Sequence, residues 1–195
     1  MEVYGLEDFI REVRDVVSTQ IPPSKALKVL SPGFKKLLGN PTFLDEQLAT
    51  IPVHEYETCL YQDPVHEFVV LVRGVKPRNS PYPILPHDHG PLWALYGVYR
   101  GMVTIERYEV DADEGAGQYP GLSLVSARLG QPRDLDPIPP HHLHCPPDEE
   151  TGSITIVVYP KDLDEVTRRG YMPQLKGLIE FQGKKPPRSM NTVQA

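Results

Sequence analysis

Two histidines separated by one residue lie in the segment Pro86-His87-Asp88-His89-Gly90. On an extended chain, side chains two residues apart lie on the same face, and their Cα atoms are roughly 6.6 Å apart at about 3.3 Å rise per residue. The imidazoles of His87 and His89 can therefore converge on one metal ion. Asp88 then points to the opposite face, where its carboxylate can hydrogen-bond to backbone or solvent.

A second histidine cluster, His141-His142-Leu143-His144, precedes the last predicted strand of the barrel. A barrel can fold this segment back beside the first one, and within it His142 and His144 share a face. Imidazole suits zinc, copper, iron and nickel alike. Three neutral histidines leave the 2+ charge of such an ion uncompensated, which favours anionic ligands such as a thiolate, an enolate or superoxide. The pattern fits redox chemistry on an anion at least as well as hydrolysis.

The elements that must position these histidines are short strands. After residue 51 the sequence contains short runs rich in β-branched or aromatic residues, separated by turn residues, as in an antiparallel barrel or jelly roll. The predicted strands are residues 56–61, 68–73, 92–99, 102–110, 122–129 and 153–159. Arg100-Gly101 predicts a tight turn between two of them, and residues 114–117 predict a looser one.

The first 50 residues predict a small helical cap. Leu6, Phe9 and Val13 are at helical spacing with charges between them, so residues 5–18 predict an amphipathic helix. Ser24 predicts the start of a second helix, and Ser31-Pro32 predicts a fresh helix start after it. Residues 41–48 predict a last short turn.

After residue 160 the pattern is weaker. Residues 163–169 predict a short helix, 178–181 a late edge strand and 183–195 a mobile tail. The barrel therefore covers residues 51–160, within a single domain of residues 1–182.

Length and composition narrow the class of protein. A chain of 195 residues fits one domain, and 22 prolines with 15 glycines indicate many strand-ending turns. The net charge is -6 and no basic stripe follows the chain, so nucleic acid is not an expected partner. No segment approaches 18 uncharged apolar residues, so no membrane span is expected. Cys59 and Cys145 are too few for a disulfide framework, which favours a cytoplasmic location.

The histidine segment resembles the first motif of the cupin superfamily. That motif is His-X-His, three or four residues, Glu, six residues and Gly, and here Ala94 takes the place of the Glu before Gly101. The missing carboxylate, the context of residues 87–93 and the strand ending at Tyr159 are similar to the branch of thiol dioxygenases that contains cysteine dioxygenase and 3-mercaptopropionate dioxygenase. Residues 60–64 and the helical cap are similar too. The resemblance implies a mainly β, cupin-type double-stranded β-helix, a jelly-roll barrel, with a small N-terminal helical cap.

The resemblance also implies a metal site. In that family the third histidine ends a Pro-Pro-X-X-apolar-His segment, which is the place of His144, and His142 is the fallback ligand. His87, His89 and His144 are then expected to hold one Fe(II) per chain. By the same analogy Tyr159 is the catalytic residue, because its hydroxyl can donate a hydrogen bond to bound oxygen or substrate.

Several positions depart from the family pattern. Because Ala94 replaces the cysteine of cysteine dioxygenase, no Cys-Tyr crosslink is expected. The family triad Ser-X-His-X-Tyr becomes Thr155-X-Val157-X-Tyr159, which lacks the orienting histidine. Thr58 and Gln62 stand where the family's substrate-binding arginine is expected. These changes argue against cysteine as the substrate and favour a different small thiol.

Two further residues are candidates for substrate binding. Arg73 can replace the missing arginine with a bidentate hold on a carboxylate, and its alternative role is that of a surface strand arginine. Trp93 is a candidate pocket wall, with core packing as its alternative. Alternation allows either Trp93 and Leu95 or Tyr96 to face inward, and Trp93 shares the parity of His87 and His89 only if no bulge intervenes.

The function that follows is an Fe(II)-dependent dioxygenase, an oxidoreductase whose partners are a small thiol and O2 and whose product is a sulfinate. One alternative is a three-histidine cupin dioxygenase that cleaves a carbon-carbon bond in a diketone or a hydroxylated aromatic. Another is a non-catalytic cupin that binds a small ligand or metal. The oligomeric state stays open.

Overall fold

The computed structural model describes residues 4–54, 57–75, 85–112, 119–145 and 152–183. Three helices come first, α1 (Leu6–Ser18), α2 (Pro23–Leu38) and α3 (Phe43–Leu48). Ten strands follow: β1 (Glu57–Gln62), β2 (Val69–Arg73), β3 (Ala94–Arg100), β4 (Val103–Val110), β5 (Leu122–Gly130), β6 (Leu135–Ile138), β7 (Leu143–Cys145), β8 (Ile154–Tyr159), β9 (Thr167–Met172) and β10 (Gly177–Gln182). No helix in these ranges is long and apolar enough to cross a membrane.

The strands form antiparallel sheets whose order differs from the chain order. A five-stranded sheet has the order β1-β2-β8-β3-β6, a three-stranded sheet has the order β5-β4-β7, and β9 pairs with β10. Neighbouring strands that are far apart in sequence, such as β2 and β8, require the crossovers typical of a jelly roll. The chain is therefore a mainly β, double-stranded β-helix with a small N-terminal helical region, as the sequence predicts.

The five-stranded sheet is buried on both faces. Alternate residues of its central strands pack against the helices, and the intervening residues line the interior of the barrel. The helix-facing set includes Val70, Val72, Leu95, Ile156 and Val158. The interior set includes Val69, Leu71, Ala94, Tyr96, Val157 and Tyr159.

The helical cap differs from the prediction at Pro32. The sequence predicts a fresh helix start at Ser31-Pro32, but α2 runs through both residues as one helix. The apolar face of α2, with Leu27, Leu30 and Phe34, is buried along its length against α1 and the sheet. This burial outweighs the backbone hydrogen bond that a proline inside a helix cannot donate.

The C-terminal region corrects a second prediction. Residues 163–169 were expected to form a helix, but only a 3₁₀ turn forms at Leu163–Glu165, and Thr167 begins strand β9. β9 pairs along its length with β10, which contains the predicted strand at 178–181. The backbone of β9 also bonds the first histidine segment, with Asp88 N donating to Arg169 O at 3.0 Å. Two neighbouring segments thus hold these residues extended.

The predicted turns and tail have different outcomes. Gly101 has a φ of +77° between β3 and β4, which agrees with the tight turn predicted at Arg100-Gly101. The looser turn at 114–117 lies outside the described residues. The predicted mobile tail, from Gly183 onward, lies outside them as well, except for Gly183 itself.

Candidate metal centre

Three histidines from two distant segments meet inside the barrel. His87 and His144 exchange backbone hydrogen bonds, with His87 N donating to His144 O at 2.8 Å and His144 N donating to His87 O at 2.9 Å. One nitrogen from each of His87, His89 and His144 lies within 4.8 Å of the other two. The ring centroids are 4.9 to 5.5 Å apart. This geometry suits one ion bound by three imidazoles.

The nitrogen atoms of the cluster have few other partners. His87 Nδ1 lies 2.9 Å from Leu85 O, so it donates to this carbonyl and leaves Nε2 as the ligand atom. His89 Nδ1 and His144 Nε2 are buried and have no hydrogen-bond partner in the described part of the chain. Buried polar atoms without a partner are rare because they cost free energy. A metal ion shared by the three rings removes that cost, so these residues fit a metal.

Burial also keeps the imidazoles in the form that binds a metal. Burial, with the charge of Arg168 as the second cause, lowers the pKa of His87 to about 3. Burial and the neighbouring histidines hold the pKa values of His89 and His144 well below the usual value. All three rings are therefore neutral at pH 7, and no proton has to be displaced before a metal binds.

The residue between the two ligands anchors the segment. Asp88 is fully buried, and its Oδ1 accepts hydrogen bonds from the backbone N of Gly90 at 3.0 Å and of Arg169 at 2.8 Å. Arg169 Nε donates to Asp88 Oδ2 at 2.7 Å, and its Nη2 donates to the carbonyl of His141 at 3.0 Å. One guanidinium thus joins both histidine segments to β9.

Tyr159 lies beside the histidines with its hydroxyl in a buried network. Its ring is 5.0 Å from that of His89, and its hydroxyl is 2.6 Å from the hydroxyl of Tyr96. Arg73 donates to both tyrosines, from Nη1 to Tyr96 at 2.8 Å and from Nη2 to Tyr159 at 3.1 Å. Burial raises the pKa of both phenols, so both hydroxyls stay protonated at pH 7.

Arg73 is a buried arginine that supports the tyrosines. It is 6% exposed, so its alternative role as a surface strand residue is wrong. Nε donates to Glu57 Oε2 at 2.8 Å, and Nη1 and Nη2 bind the two tyrosine hydroxyls. Each of its nitrogens therefore has a partner within the protein.

Arg168 is a second buried cation at the site, and the sequence analysis missed it. It is 4% exposed, its Nε donates to Gly183 O at 2.7 Å, and its guanidinium lies 4.9 Å from the Phe181 ring centroid. His87 pairs with Gly170, and the same antiparallel register places Arg168 opposite His89 and on the same face. Burial lowers its pKa, but an arginine stays charged in proteins. No carboxylate of the described chain forms an ion pair with it.

The structure places Trp93 away from the site, so its prediction as pocket wall is wrong. Trp93 is 6% exposed and belongs to the core between the sheet and the helices. The turn at Gly90, where φ is +58°, interrupts the alternation between His89 and β3. Consequently Ala94 and Tyr96 face the interior with the histidines, while Trp93 faces the helical cap.

The remaining candidates lie outside the cluster. His142 is exposed, with Nδ1 3.0 Å from Pro140 O, and it is not in the three-histidine group. Thr58 is buried, and its hydroxyl accepts from the backbone N of His54, while Gln62 is exposed. Cys145 packs in a separate cluster with Tyr108 and other side chains, on the face of β7 opposite to His144.

Comparisons with known proteins find weak similarity to solved structures. No family model matches the chain, and no curated protein matches it. Among solved structures it is similar to the DMSP lyase DddQ from Ruegeria pomeroyi DSS-3, with 18% identity, a TM-score of 0.35, and coverage of 56% of this chain and 48% of that one. It is also similar to hydroquinone 1,2-dioxygenase PnpCD in complex with Cd²⁺ and 4-hydroxybenzonitrile, with 15% identity, a TM-score of 0.37, and coverage of 55% and 65%.

A third similar structure is an uncharacterized protein with a double-stranded beta-helix domain from Klebsiella pneumoniae subsp. pneumoniae MGH 78578. Here the identity is 16%, the TM-score is 0.34, and the match covers 73% of this chain and 95% of that one. The chain spans about half the length of the lyase and just under two thirds of the dioxygenase chain.

Proposed function

We propose that this protein is a non-haem iron thiol dioxygenase that converts a small thiol bearing a carboxylate into its sulfinate. The observation that carries the proposal is a cluster of three neutral imidazoles, two of them buried and that of His87 partly exposed, with ligand atoms within 4.8 Å of one another. A buried arginine without a carboxylate partner among the described residues lies next to this cluster. The chemistry of these groups supports an anionic substrate.

His87, His89 and His144 would hold one Fe(II). When bound, ferrous iron supplies the electrons that activate O2 and the positive charge that lowers the pKa of a thiol. Because the three imidazoles are neutral, the protein itself adds no negative charge that would repel an anionic sulfur. A site with a carboxylate ligand would offer a less positive centre to the same thiolate.

Arg168 is the group we assign to the substrate carboxylate. It shares a face with His89, and its Nη atoms have no hydrogen-bond partner among the described residues, in contrast to those of Arg73. A guanidinium and a carboxylate form a bidentate pair, which fixes orientation as well as charge. Arg168 would thus hold one end of the substrate while the sulfur lies at the histidine cluster, so the reacting atom is positioned before oxygen arrives.

Tyr159 contributes a hydrogen-bond donor. Its hydroxyl remains protonated at pH 7 because burial raises its pKa. A neutral phenol can stabilise charge that develops on oxygen or sulfur during the reaction. Phe181 and the aliphatic interior of the barrel exclude bulk water from the same space.

The overall reaction needs no further reductant. Both atoms of O2 join the sulfur, and the thiol R-SH becomes R-SO2⁻ with release of one proton. The sulfur is oxidised by four electrons, and the two oxygen atoms accept them. The only consumed species are therefore the thiol and O2.

The charge of Arg168 also bears on the choice between a thiol substrate and the two alternative functions. A diketone or a hydroxylated aromatic would chelate the metal through two oxygens, and a plain diketone or catechol has no carboxylate for a buried guanidinium. A non-catalytic cupin requires neither O2 nor Tyr159. The arginine thus favours a thiol with a second anionic group over a plain diketone or catechol, and turnover with O2 distinguishes it from non-catalytic binding.

The test is O2 uptake by iron-loaded protein with matched substrates. The panel contains short thiols that end in a carboxylate, the same thiols ending in an alcohol, diketones and catechol-like compounds. We expect uptake with the thiol acids and a product in which ¹⁸O2 adds two labelled atoms to sulfur. Uptake with only the diketones or catechols supports carbon-carbon cleavage, and no uptake with any compound supports the non-catalytic alternative.

Replacement of Arg168 provides the matched test of substrate class. Arg168→Met should raise KM for the thiol acid on the order of a hundredfold, because a charge-assisted bidentate pair contributes about 3 kcal/mol. KM for the thiol alcohol should change little. An equal change with both substrates would show that Arg168 has a structural role only.

A further inference from the structure

The interior of the barrel contains a closed ring of three polar groups from three different strands. Tyr96 is on β3, Tyr159 on β8 and Arg73 on β2, and each contacts the other two at 2.6 to 3.1 Å. All three side chains are more than nine-tenths buried. The carboxylate of Glu57 on β1 forms an ion pair with Nε and Nη2 of this guanidinium. Four neighbouring strands therefore fix the two hydroxyls.

The number of hydroxyl hydrogens limits which hydrogen bonds these three side chains can form. A guanidinium only donates, so both phenolic oxygens accept a hydrogen bond from Arg73. The contact of 2.6 Å between the two hydroxyls contains one hydrogen. Two phenols carry two hydrogens, so one O-H remains for a group outside the ring. The Tyr96 hydroxyl also lies 3.4 Å from His89 Nε2, so this imidazole can donate to Tyr96 while Tyr96 donates to Tyr159. In that arrangement the remaining hydrogen belongs to Tyr159.

We propose that Tyr96 is a positioning residue that, together with Arg73, holds the Tyr159 hydroxyl so that its free hydrogen faces the histidine cluster. No inward-facing residue of β8 can orient the Tyr159 hydroxyl in this way. The two inward-facing residues that precede Tyr159 on this strand are Val157 and Thr155. Val157 has no polar side-chain atom, and Thr155 Oγ1 is buried without a partner among the described residues. Orientation of Tyr159 therefore depends on contacts with the neighbouring strands.

This role rests on the proposed function, in which Tyr159 contacts the substrate or oxygen. If Tyr96 acts only through Tyr159, its hydroxyl has no effect once the Tyr159 hydroxyl is removed. The two substitutions must then be non-additive, as expected for residues in one hydrogen-bond network. An independent structural role for Tyr96 would give additive effects.

The kinetic experiment is a double-mutant cycle on iron-loaded protein with the best thiol of the panel. Tyr96→Phe should retain iron and lower kcat about tenfold, with KM within about twofold, as expected for loss of an oriented donor. The double variant should be no slower than Tyr159→Phe alone. Tyr108→Phe is the matched control, because the buried Tyr108 hydroxyl bonds Glu106 away from the site, and it should leave kcat unchanged. Additive losses, or a matching rise in KM, would overturn the proposal.

A second measurement does not depend on turnover. Zinc-loaded wild-type protein should show a protected, downfield hydroxyl proton in the NMR spectrum, because a 2.6 Å O-H···O contact is short. Tyr96→Phe and Tyr159→Phe should each remove this signal, and Tyr108→Phe should retain it. Loss in only one of the two variants would overturn the paired arrangement. A wild-type protein that shows the signal but oxidises no thiol would refute the proposed function and leave the hydroxyl pair in place.

Discussion

The charges of individual buried residues define what this site can bind. The interior contains three neutral imidazoles, two protonated phenols and the guanidiniums of Arg73 and Arg168, and Glu57 pairs with the first of these arginines. Before any metal binds, the described part of the pocket is therefore positive. A divalent ion increases that charge, and an anionic ligand with two negative groups compensates it best.

The position of Trp93 gives a prediction for a single residue. Trp93 is the only tryptophan in the sequence and packs between the sheet and the helices. Trp93→Phe should lower the free energy of unfolding by about 1 to 3 kcal/mol, because it leaves a partly filled space in the core. KM for the substrate should remain unchanged. Urea unfolding followed by circular dichroism, together with steady-state kinetics, measures both effects. A changed KM with unchanged stability would show that Trp93 contacts the substrate and contradict its core position.

At the scale of elements, β9 organises the three-histidine cluster. Its residues alternate in direction, so Arg168 faces the pocket while Arg169 binds Asp88 on the other side of the strand. Arg169 also contacts the carbonyl of His141, which precedes His144 by three residues. The strand thus places one arginine beside the histidines and another that fixes the two histidine segments relative to each other.

The contribution of Arg169 can be measured as metal affinity. Arg169→Met removes the partner of a buried carboxylate and loosens both segments, so metal affinity should fall about 10- to 100-fold, as for other groups that orient metal ligands. Arg128→Met, at an exposed arginine of β5, is the control and should leave affinity unchanged. Competition with a metal chelator measures both variants. Equal affinities would show that the histidines are preorganised without the arginine.

Local patterns predict most strands of this fold and part of its site. Each predicted strand after residue 51 overlaps an observed one, because alternation and turn residues are properties of a short segment. The convergence of the two histidine segments also follows from parity and from a closed barrel. The inward direction predicted for Trp93 is wrong because the turn at Gly90 reverses the alternation of side chains. Tyr96, the alternative residue, faces inward instead.

Other features depend on contacts that no local pattern contains. The segment 167–172 carries two arginines and a glycine and has little strand character by itself, yet β10 and the histidine segment pair with it on both edges. Arg168 is consequently found only when its register against His89 is known. The link of Arg73 to two tyrosines likewise requires the order of β2, β8 and β3 in the sheet.

At the scale of the whole molecule, burial of neutral histidines couples stability to pH. The pKa of His87 in the folded chain is about 3, below its value of 6.5 in an unfolded chain, and those of His89 and His144 are lowered in the same direction. Between these values the unfolded chain binds protons that the folded chain does not. The stability of the metal-free protein therefore falls as the pH decreases below about 6.5.

The size of this effect can be measured with one variant. The free energy of unfolding of metal-free His89→Gln should fall less steeply between pH 6.5 and 5 than that of the wild type, by up to about 1.4 kcal/mol per pH unit. Trp93→Phe is the control, because it lowers stability without removing a histidine and should retain the wild-type slope. Urea unfolding at several pH values gives both slopes. An unchanged slope in His89→Gln would mean that this ring is not buried in its neutral form.

The most direct test of the three-histidine centre is the iron content of single variants after anaerobic reconstitution and desalting. The proposed function predicts one iron per chain in wild type and in His142→Ala, whose ring is exposed and lies outside the three-histidine group. It predicts loss of iron in His87→Ala, His89→Ala and His144→Ala, each with the circular dichroism spectrum of the wild type. A His144→Ala variant that keeps one equivalent of iron, or a His142→Ala variant that loses it, would contradict the assignment on which the proposed oxygenase chemistry depends.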